Sequence, residues 1–182
     1  ARRIVRLVRS FVIGKGLTIK SNDTEIQDYL QSWWADPLNK FKKNIKRWVD
    51  ENTRTGNLFF LFTVQENLTC HVRAVPADMI EEIICADNDI EQEIKYEKAD
   101  NIGTYWKAYD PQRRYKSGDV FMLHFAVNQP VGSPWGEGDL PPLLVWIGRF
   151  ATWLEDRVRL NHFRSVFMYV VQGNYTSTES KL

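Results

Sequence analysis

A change of hydrophobic period at Gly56 is the feature that most constrains the fold of this 182-residue chain. Before Gly56, apolar side chains recur every three or four residues, which is the spacing of amphipathic helices. After it, short runs rich in aromatic and β-branched residues are separated by turn residues, which is typical of strands. A further stretch of helical spacing lies near the end of the chain. The sequence therefore predicts an α+β fold, with N-terminal helices, a mainly antiparallel meandering sheet and a long C-terminal helix.

Three helices are predicted before this change of period. The first covers residues 2–13 and ends at a Gly-Lys-Gly break, and the third covers about 39–53 after Asp36-Pro37. Polar residues 21–24 offer N-caps for the second helix. A short strand is expected at 17–20.

Six strands are predicted after the change of period. The first two form the clearest hairpin, because their alternating runs flank a turn at Glu66-Asn67. Since the runs follow one another at short intervals, they predict a single meandering antiparallel sheet. The predicted ranges are 58–65, 68–75, 80–86, 92–98, 104–109 and 120–127.

A loop rich in Gly and Pro is predicted at 128–142, where the backbone must adopt constrained turns. Asp139 is expected to cap the long helix that follows, and apolar residues every three or four positions predict that this helix is buried along most of its length. We expect one domain over 1–175. Its parts are a helical part at 1–56, a β-rich part at 57–127, the loop at 128–142, and the long helix with its following segment at 139–172. A polar tail of the kind that ends an expressed fragment is expected at 176–182.

Composition limits the class of protein. Apolar residues make up 43% and charged residues 26% of the chain, which is near the globular average and argues against a disordered or low-complexity protein. No run of about 18 apolar residues occurs, so no membrane-spanning segment and no membrane partner is predicted. Cys70 and Cys85 lie far apart among apolar neighbours, which favours two reduced core thiols and a cytoplasmic origin over a disulfide.

Charge is distributed unevenly although the net charge is only +1. Residues 1–60 carry 12 basic and 6 acidic side chains, whereas residues 61–120 carry 7 basic and 12 acidic ones. Opposite faces of this kind attract neighbouring copies and hint at self-assembly in a ring or a stack. An ordinary mixed surface is the alternative.

Catalytic and phosphate-binding motifs are not found, and the three histidines are isolated from other metal ligands in the sequence. We therefore predict no catalytic residue, no metal ligand and no cofactor. Carboxylates are dense in one stretch, and a metal-dependent nuclease would need two or more of them to converge. Because successive side chains of a strand point to opposite faces of the sheet, we favour a solvated acidic edge over a metal site. These carboxylates are Asp78, Glu81, Glu82, Asp87, Asp89, Glu91 and Glu93.

The third helix carries a strongly basic face. Lys42, Lys43, Lys46 and Arg47 cover the side opposite its apolar stripe, and such a face suits a polyanion or an acidic partner. The alternative is a solvated outer face over a buried Trp48. Aromatic residues interleaved with basic ones elsewhere also suit base stacking, although each is more often a core residue.

The order of several segments resembles the tailed-bacteriophage portal protein family, the head-to-tail connectors. The likeness covers residues 4–173, and the order of the segments rather than any single one carries it. These segments are VIGKGLTI at 12–19, QSWWADPLN at 31–39, TGNLFF at 55–60, VRAVPADMI at 72–80, HFAVN at 124–128, GEGDLPPLL at 136–144, RFATWLEDR at 149–157 and RLN at 159–161.

The resemblance implies a structural, non-catalytic subunit similar to the wing region of a portal ring, usually of twelve copies. The implied partners are further copies of the chain, the terminase large subunit, head-completion and tail adaptor proteins, capsid proteins and the double-stranded DNA that passes through the channel. The implied location is the portal vertex of the virion, and the host cytoplasm during assembly. The family's clip, stem, tunnel loop and crown would follow Leu182. The competing hypothesis is a nucleic-acid-binding or metal-dependent nuclease module.

Four arginines on the long helix are candidates for subunit contacts or for a field facing the channel. Surface solubility, with Glu155 and Asp156 as ion-pair partners, is the alternative. The four are Arg149, Arg157, Arg159 and Arg164.

Overall fold

The computed structural model of this chain describes residues 2–67 and 69–166. It divides into two compact units, Ala1–Pro142 and Leu143–Leu182. The first unit contains three helices and all six strands, and the second contains most of one long helix. The α+β class predicted from the sequence is confirmed, while the single domain over 1–175 stays a prediction.

Helices α1 (Arg2–Ile13), α2 (Thr24–Ala35) and α3 (Phe41–Thr55) open the first unit. Asp23 caps α2, because its Oδ1 accepts hydrogen bonds from the backbone N–H groups of Glu25 and Ile26 at 2.9 and 3.1 Å. Helix α3 ends at Gly56, whose N–H donates to the carbonyl of Asn52 at 2.8 Å. All three predicted helices are therefore confirmed, with α3 displaced by two residues at each end.

The strands are β1 (Asn57–Val64), β2 (Cys70–Val75), β3 (Ile80–Ala86), β4 (Asp89–Lys98), β5 (Tyr105–Lys107) and β6 (Val120–Ala126). They form two antiparallel sheets of three strands each, in the orders β2-β1-β6 and β3-β4-β5. An isolated bridge joins Ala108, which follows β5, to Met122 of β6. The predicted hairpin is confirmed as β1 and β2, with Phe59 opposite Val75.

Two predictions about strands are wrong. The strands predicted to form one meandering sheet form two sheets. Strand β6 pairs with β1, so the first sheet contains β1, β2 and β6 although β3, β4 and β5 lie between β2 and β6 in the sequence. No strand forms at 17–20, where the side chain of Gln27, and not a neighbouring strand, makes hydrogen bonds to the backbone. Its amide donates to the carbonyl of Ile19 at 3.4 Å, and its Oε1 accepts from the backbone N–H of Ser21.

A core of buried side chains lies among the strands. Phe59 and Met122 are fully buried, and the Phe59 ring meets Tyr96 edge to face at 5.6 Å. The other buried members of this cluster are Val75, Ile80 and Ile83. Because these side chains come from strands of both sheets, burying them holds β1, β2 and β6 against β3 and β4.

A second buried cluster joins α3 to the first sheet through Phe41, Ile45 and Val72. Trp34 stacks on Phe41 at 4.8 Å. Asn39, also fully buried, accepts a hydrogen bond from the N–H of Val72 at 2.9 Å. The tryptophans of the first 56 residues are therefore used largely in packing.

The loop after β6 fits tightly against the junction of α3 and β1. A Cβ atom at Gly136 would lie 2.3 Å from the carbonyl oxygen of Gly56, and one at Gly138 would lie 2.3 Å from that of Arg54. Backbone hydrogen bonds from Val127 to Gly56 and from Glu137 to Val127, both of 2.9 Å, hold the same contact. We call these three glycines and their contacts the glycine clasp.

Helix α4 spans Pro141–Val166, so it starts with the last two residues of the first unit. Asp139 does not cap it as predicted. It lies two residues before the helix, and its Oδ1 accepts from the amide of Asn128 at 3.0 Å. The prediction that this helix is buried along most of its length is also wrong, since every described side chain from 143 to 165 is exposed. The predicted segments at 167–172 and 176–182 lie outside the described residues.

Candidate functional site

The basic face predicted on the third helix is present on α3. Lys42, Lys43, Lys46 and Arg47 are all exposed, and among the described residues none of them forms an ion pair. On the opposite side of α3, Trp48 meets Phe60 of β1 edge to face at 4.7 Å. The packing of Trp48 orients the helix so that this set of positive charges faces solvent.

An apolar groove runs beside this basic face, between α1, α3 and β1. Its main cavity has a volume of about 580 Å³. A second cavity of about 370 Å³ continues it, because Leu17, Trp34 and Ile45 line both. We call the two together the α1–α3 groove. The apolar residues that line its main cavity are Val8, Val12, Leu17, Trp34, Ile45, Trp48, Val49, Leu58 and Val127.

Positive charge collects at one end of the α1–α3 groove. Lys15, Lys42 and Lys46 line the smaller cavity, and no carboxylate is among its lining residues. Lys42 and Lys46 stand one turn apart near the start of α3, and Lys15 lies in the break after α1. This end of the groove therefore attracts anionic groups.

Hydrogen-bond acceptors collect at the other end. Asn52 and Asp139 line the main cavity there, and the N–H of Asp139 donates to the carbonyl of Thr53 at 3.1 Å. The side-chain oxygen of Asn52 is buried and has no donor among the described residues. The exposed carboxylate of Asp139 adds negative charge, so this end is suited to a partner that supplies N–H groups or positive charge. Lys42 and Asn52 are ten residues apart on one helix, which places the two ends about 15 Å from each other.

The four arginines predicted on the long helix are exposed on α4. The guanidinium of Arg149 lies 5.0 Å from the Trp146 ring, and that of Arg157 lies 5.7 Å from the Trp153 ring. Arg157 and Arg164, seven residues apart, share a face of the helix, whereas Arg159 points to the other side. The ion pairs with Glu155 and Asp156 that the solubility hypothesis expects do not occur among the described residues.

The acidic stretch lies mostly on the surface of the β3–β4 hairpin. Glu81, Glu82 and Glu91 are exposed, and only Glu93 is turned inward enough to contact a buried side chain. Within 2–67 and 69–166, no group of three or more His, Cys, Asp and Glu side chains is arranged to hold a metal ion.

Trp106, Tyr109 and Tyr115 are among the aromatic residues that are interleaved with basic ones and suit base stacking, and other side chains of this chain contact their rings. Tyr109 and Tyr115 stack on each other at 5.6 Å, and the guanidinium of Arg113 lies 5.3 Å from the Tyr115 ring. Lys98 lies 4.5 Å from the ring of Trp106. These faces are therefore already in contact with cations or rings of the protein.

A buried polar cluster around His124 is the arrangement that the sequence did not reveal. The His124 side chain is 2% exposed and stacks on Phe59 at 4.2 Å. Its Nδ1 lies 2.6 Å from Glu93 Oε1, and its Nε2 lies 3.1 Å from Asn57 Oδ1. Tyr96 donates to the other oxygen of Glu93. Strand alternation could not place Glu93 beside Tyr96, because the register of β3 and β4 shifts at Cys85, opposite Glu93.

The hydrogen bonds of Asn57 fix one proton of this cluster, on Nε2 of His124. The Asn57 amide donates to the carbonyls of Thr55 and Gly136, and its Oδ1 accepts from the N–H of Gly136, so this oxygen can only accept from His124 Nε2. The contact with Glu93 needs one more proton, supplied by the imidazole or the carboxyl. The cluster joins β1, β4, β6 and the Gly/Pro loop.

Burial also changes the acidity of three groups near these strands. The pKa of the Tyr96 hydroxyl is raised by burial and by its hydrogen bond to Glu93. Burial raises the pKa of the Cys70 and Cys85 thiols, with Glu93 adding to the effect at Cys85. Both thiols are free and half-buried, as the prediction of unpaired cysteines requires.

No protein-family model matches this chain, and a search of curated proteins finds no match. Among the described residues, no helix combines the length and the apolar character that crossing a membrane would need.

Proposed function

We propose that this chain is the wing-like part of a portal protein, a non-catalytic subunit of a ring that surrounds packaged double-stranded DNA. The exposed apolar surface of α4 is the observation that carries the proposal. Trp146, Phe150 and Trp153 are 65, 58 and 53% exposed, and their neighbours along the helix are apolar too. A surface of this kind is characteristic of a subunit that is covered by another protein molecule.

The distribution of charge supports a repeated subunit. The basic side chains of α1 and α3 and the acidic edge of the β3–β4 hairpin are different surfaces of the first unit, so copies can associate head to tail with opposite charges in contact. Head-to-tail contacts of one kind close into a ring when the rotation between copies allows it. The terminase large subunit, adaptor proteins, capsid proteins and a place at the portal vertex follow from the resemblance as parts of the same proposal.

Electron microscopy of the protein encoded by the complete gene tests this proposal. We expect rings in negative stain and, by light scattering, a mass of about twelve subunits, the usual portal number. A monomeric product at micromolar concentration, or one that turns over a substrate, would contradict it.

Charge reversal on α4 tests the role given to its arginines. Arg157→Glu with Arg164→Glu changes four units of charge on one face of the helix and should reduce the fraction of subunits in rings. Lys107→Glu with Arg114→Glu makes the same change at two exposed positions of the β-rich part and should leave that fraction unchanged. Equal ring formation by both variants would remove the arginines from the proposal.

A nucleic-acid-binding module is the second candidate function, and the unpaired lysines of α3 favour it. A gel-shift series with a labelled DNA duplex at 50 and 200 mM salt, with and without magnesium, separates the two candidates. Between these two salt concentrations, a protein that makes six phosphate contacts loses about 10³-fold or more of its affinity for DNA. The portal proposal expects weak binding and no cleavage. Tight, strongly salt-dependent binding that is lost in Lys42→Glu with Lys46→Glu would support the second candidate instead.

A further inference from the structure

We propose that the α1–α3 groove is the docking site for helix α4 of a second copy, with residues 143–156 of that copy lying along the groove. The inference deepens the proposed function and rests on it, because it names the surface through which copies of this chain meet. It combines two surfaces that need covering, an apolar groove in the first unit and an apolar helix in the second.

The apolar character and the length of the two surfaces agree. Between 143 and 154 the only charged residue of α4 is Arg149, and the other large side chains of that stretch are apolar and at least 40% exposed. A helix that is apolar on all sides is normally buried. The groove is about 15 Å long between its ends, and a helix covers this distance in about ten residues, as from Leu144 in the first turn of α4 to Leu154, which directly precedes Glu155.

The groove is open enough to receive a helix. Val12 and Leu17 at its edge are 55 and 50% exposed, so the groove forms a trough and not an enclosed cavity. Docking of one helix buries these side chains together with those of α4, and burial of apolar area is the main favourable term in protein association. Small ligands prefer sites that enclose most of their surface.

Charge complementarity sets the direction of the docked helix. The apolar stretch of α4 ends at Glu155 and Asp156, and the groove ends in a set of lysines. A helix that places these carboxylates beside Lys42 and Lys46 has its N-terminal end at Asn52 and Asp139.

That direction also satisfies the acceptors at the far end of the groove. The first turn of any helix has free N–H groups and the positive end of the helix dipole. In α4 these N–H groups begin at Leu143, because Pro141 and Pro142 have none. The exposed carboxylate of Asp139 lines this end of the groove and is stabilised by the positive end of the docked helix.

Cross-linking between differently tagged copies tests the contact. In a Cys70→Ser, Cys85→Ser background, the complete gene product with Lys46→Cys and one tag is mixed with the product with Asp156→Cys and another tag, before assembly. We expect a short bismaleimide to give a product that carries both tags. The pair of Lys107→Cys and Asp156→Cys is the matched control and should give at least tenfold less of it. Equal yields, or no product with both tags, would overturn the inference.

Charge exchange provides a second test that does not depend on cysteine chemistry. Lys42→Glu with Lys46→Glu should weaken self-association at least tenfold, measured as the concentration at half assembly by light scattering. Glu155→Lys with Asp156→Lys, added to the first pair, should restore it at least partly. Weakening without any restoration would contradict the pairing of these two ends.

The outcomes separate this inference from the proposed function. Rings that form without the cross-link, and whose assembly is unaffected by the charge exchange, would overturn the docking site and leave the portal proposal standing. A complete product that stays monomeric would overturn the portal proposal itself.

Discussion

The same kinds of side chain are buried in one region of this molecule and exposed in the other. In the first unit Phe59 and Met122 are fully buried among strands, while in the second Phe150 and Trp153 of α4 are more than half exposed. Large apolar side chains occur in both regions, so the presence of neighbouring elements decides burial. The core between the sheets is complete within one copy, whereas α4 has the composition of a core helix and lacks core neighbours among the described residues.

Truncation of a phenylalanine should give the largest difference between the two regions. Phe59→Ala removes a fully buried ring that contacts Tyr96, His124 and Trp135, and should lower the free energy of unfolding by about 3–5 kcal/mol. Phe150→Ala on α4, as the matched variant, should change it by less than about 0.5 kcal/mol. Urea unfolding at low protein concentration measures both, and similar losses would mean that α4 contributes to a core within one copy.

Removal of a histidine should give a somewhat smaller difference. His124→Ala removes one hydrogen-bond partner from Glu93 and one from Asn57. A broken buried pair typically costs about 3–5 kcal/mol, and we expect the lower end because Glu93 is 20% exposed and keeps its hydrogen bond from Tyr96. His162→Ala on α4 removes an exposed imidazole and should have almost no effect. If His124→Ala were as stable as the parent protein, the cluster would have no structural role.

Glycine substitutions should change stability in opposite directions in the two regions. Gly56 has a φ of +75°, and an added Cβ would lie 2.3 Å from the backbone carbon of Glu137, so Gly56→Ala should cost about 2 kcal/mol or more. Gly148 lies inside α4 with open space around it, and Gly148→Ala should increase helix stability by up to about 1 kcal/mol. Urea unfolding for Gly56→Ala and far-ultraviolet circular dichroism for Gly148→Ala measure the two effects. A destabilised Gly148→Ala variant would show that α4 has a close neighbour at this position.

Alkaline pH should weaken the first unit through Tyr96, the smallest of these effects. The pKa of Tyr96 is raised in the folded protein, so its stabilising contribution is complete below the ordinary tyrosine pKa of about 10 and is lost as the pH rises above it. Tyr96→Phe should cost about 1 kcal/mol at pH 7 through the lost hydrogen bond and should show a shallower decline above pH 10. Urea unfolding at pH 7 and above pH 10 measures the free energy of unfolding of both proteins, with Tyr105→Phe, at an exposed tyrosine, as the control. Parallel declines for Tyr96→Phe and the parent protein would contradict the assignment.

Local patterns in the sequence predicted the elements well and their partners poorly. The helical spacing of α1, an N-cap among residues 21–24 and the hairpin of β1 and β2 depend on nearby residues, and all three predictions are confirmed. The pairing of β6 with β1 joins residues about 65 positions apart, and no local pattern specifies it.

The errors at the candidate sites have the same origin. Apolar spacing correctly predicted a long helix at α4, but it does not tell whether neighbours are supplied by the same molecule or by another. The basic face of α3 was found because four charges on one helix are a local signal. The α1–α3 groove and the His124 cluster were missed because each assembles residues from distant parts of the chain.

The glycine clasp limits how the gene can vary. Gly56 lies about 80 positions before Gly136 and Gly138 in the sequence, yet a side chain at any of the three would collide with the backbone of the opposite segment. A compensating change at one glycine cannot make room for a methyl group at another, because the obstacles are main-chain atoms. Random mutagenesis with selection for folded protein should therefore return glycine at all three positions, as if they were a single inherited character.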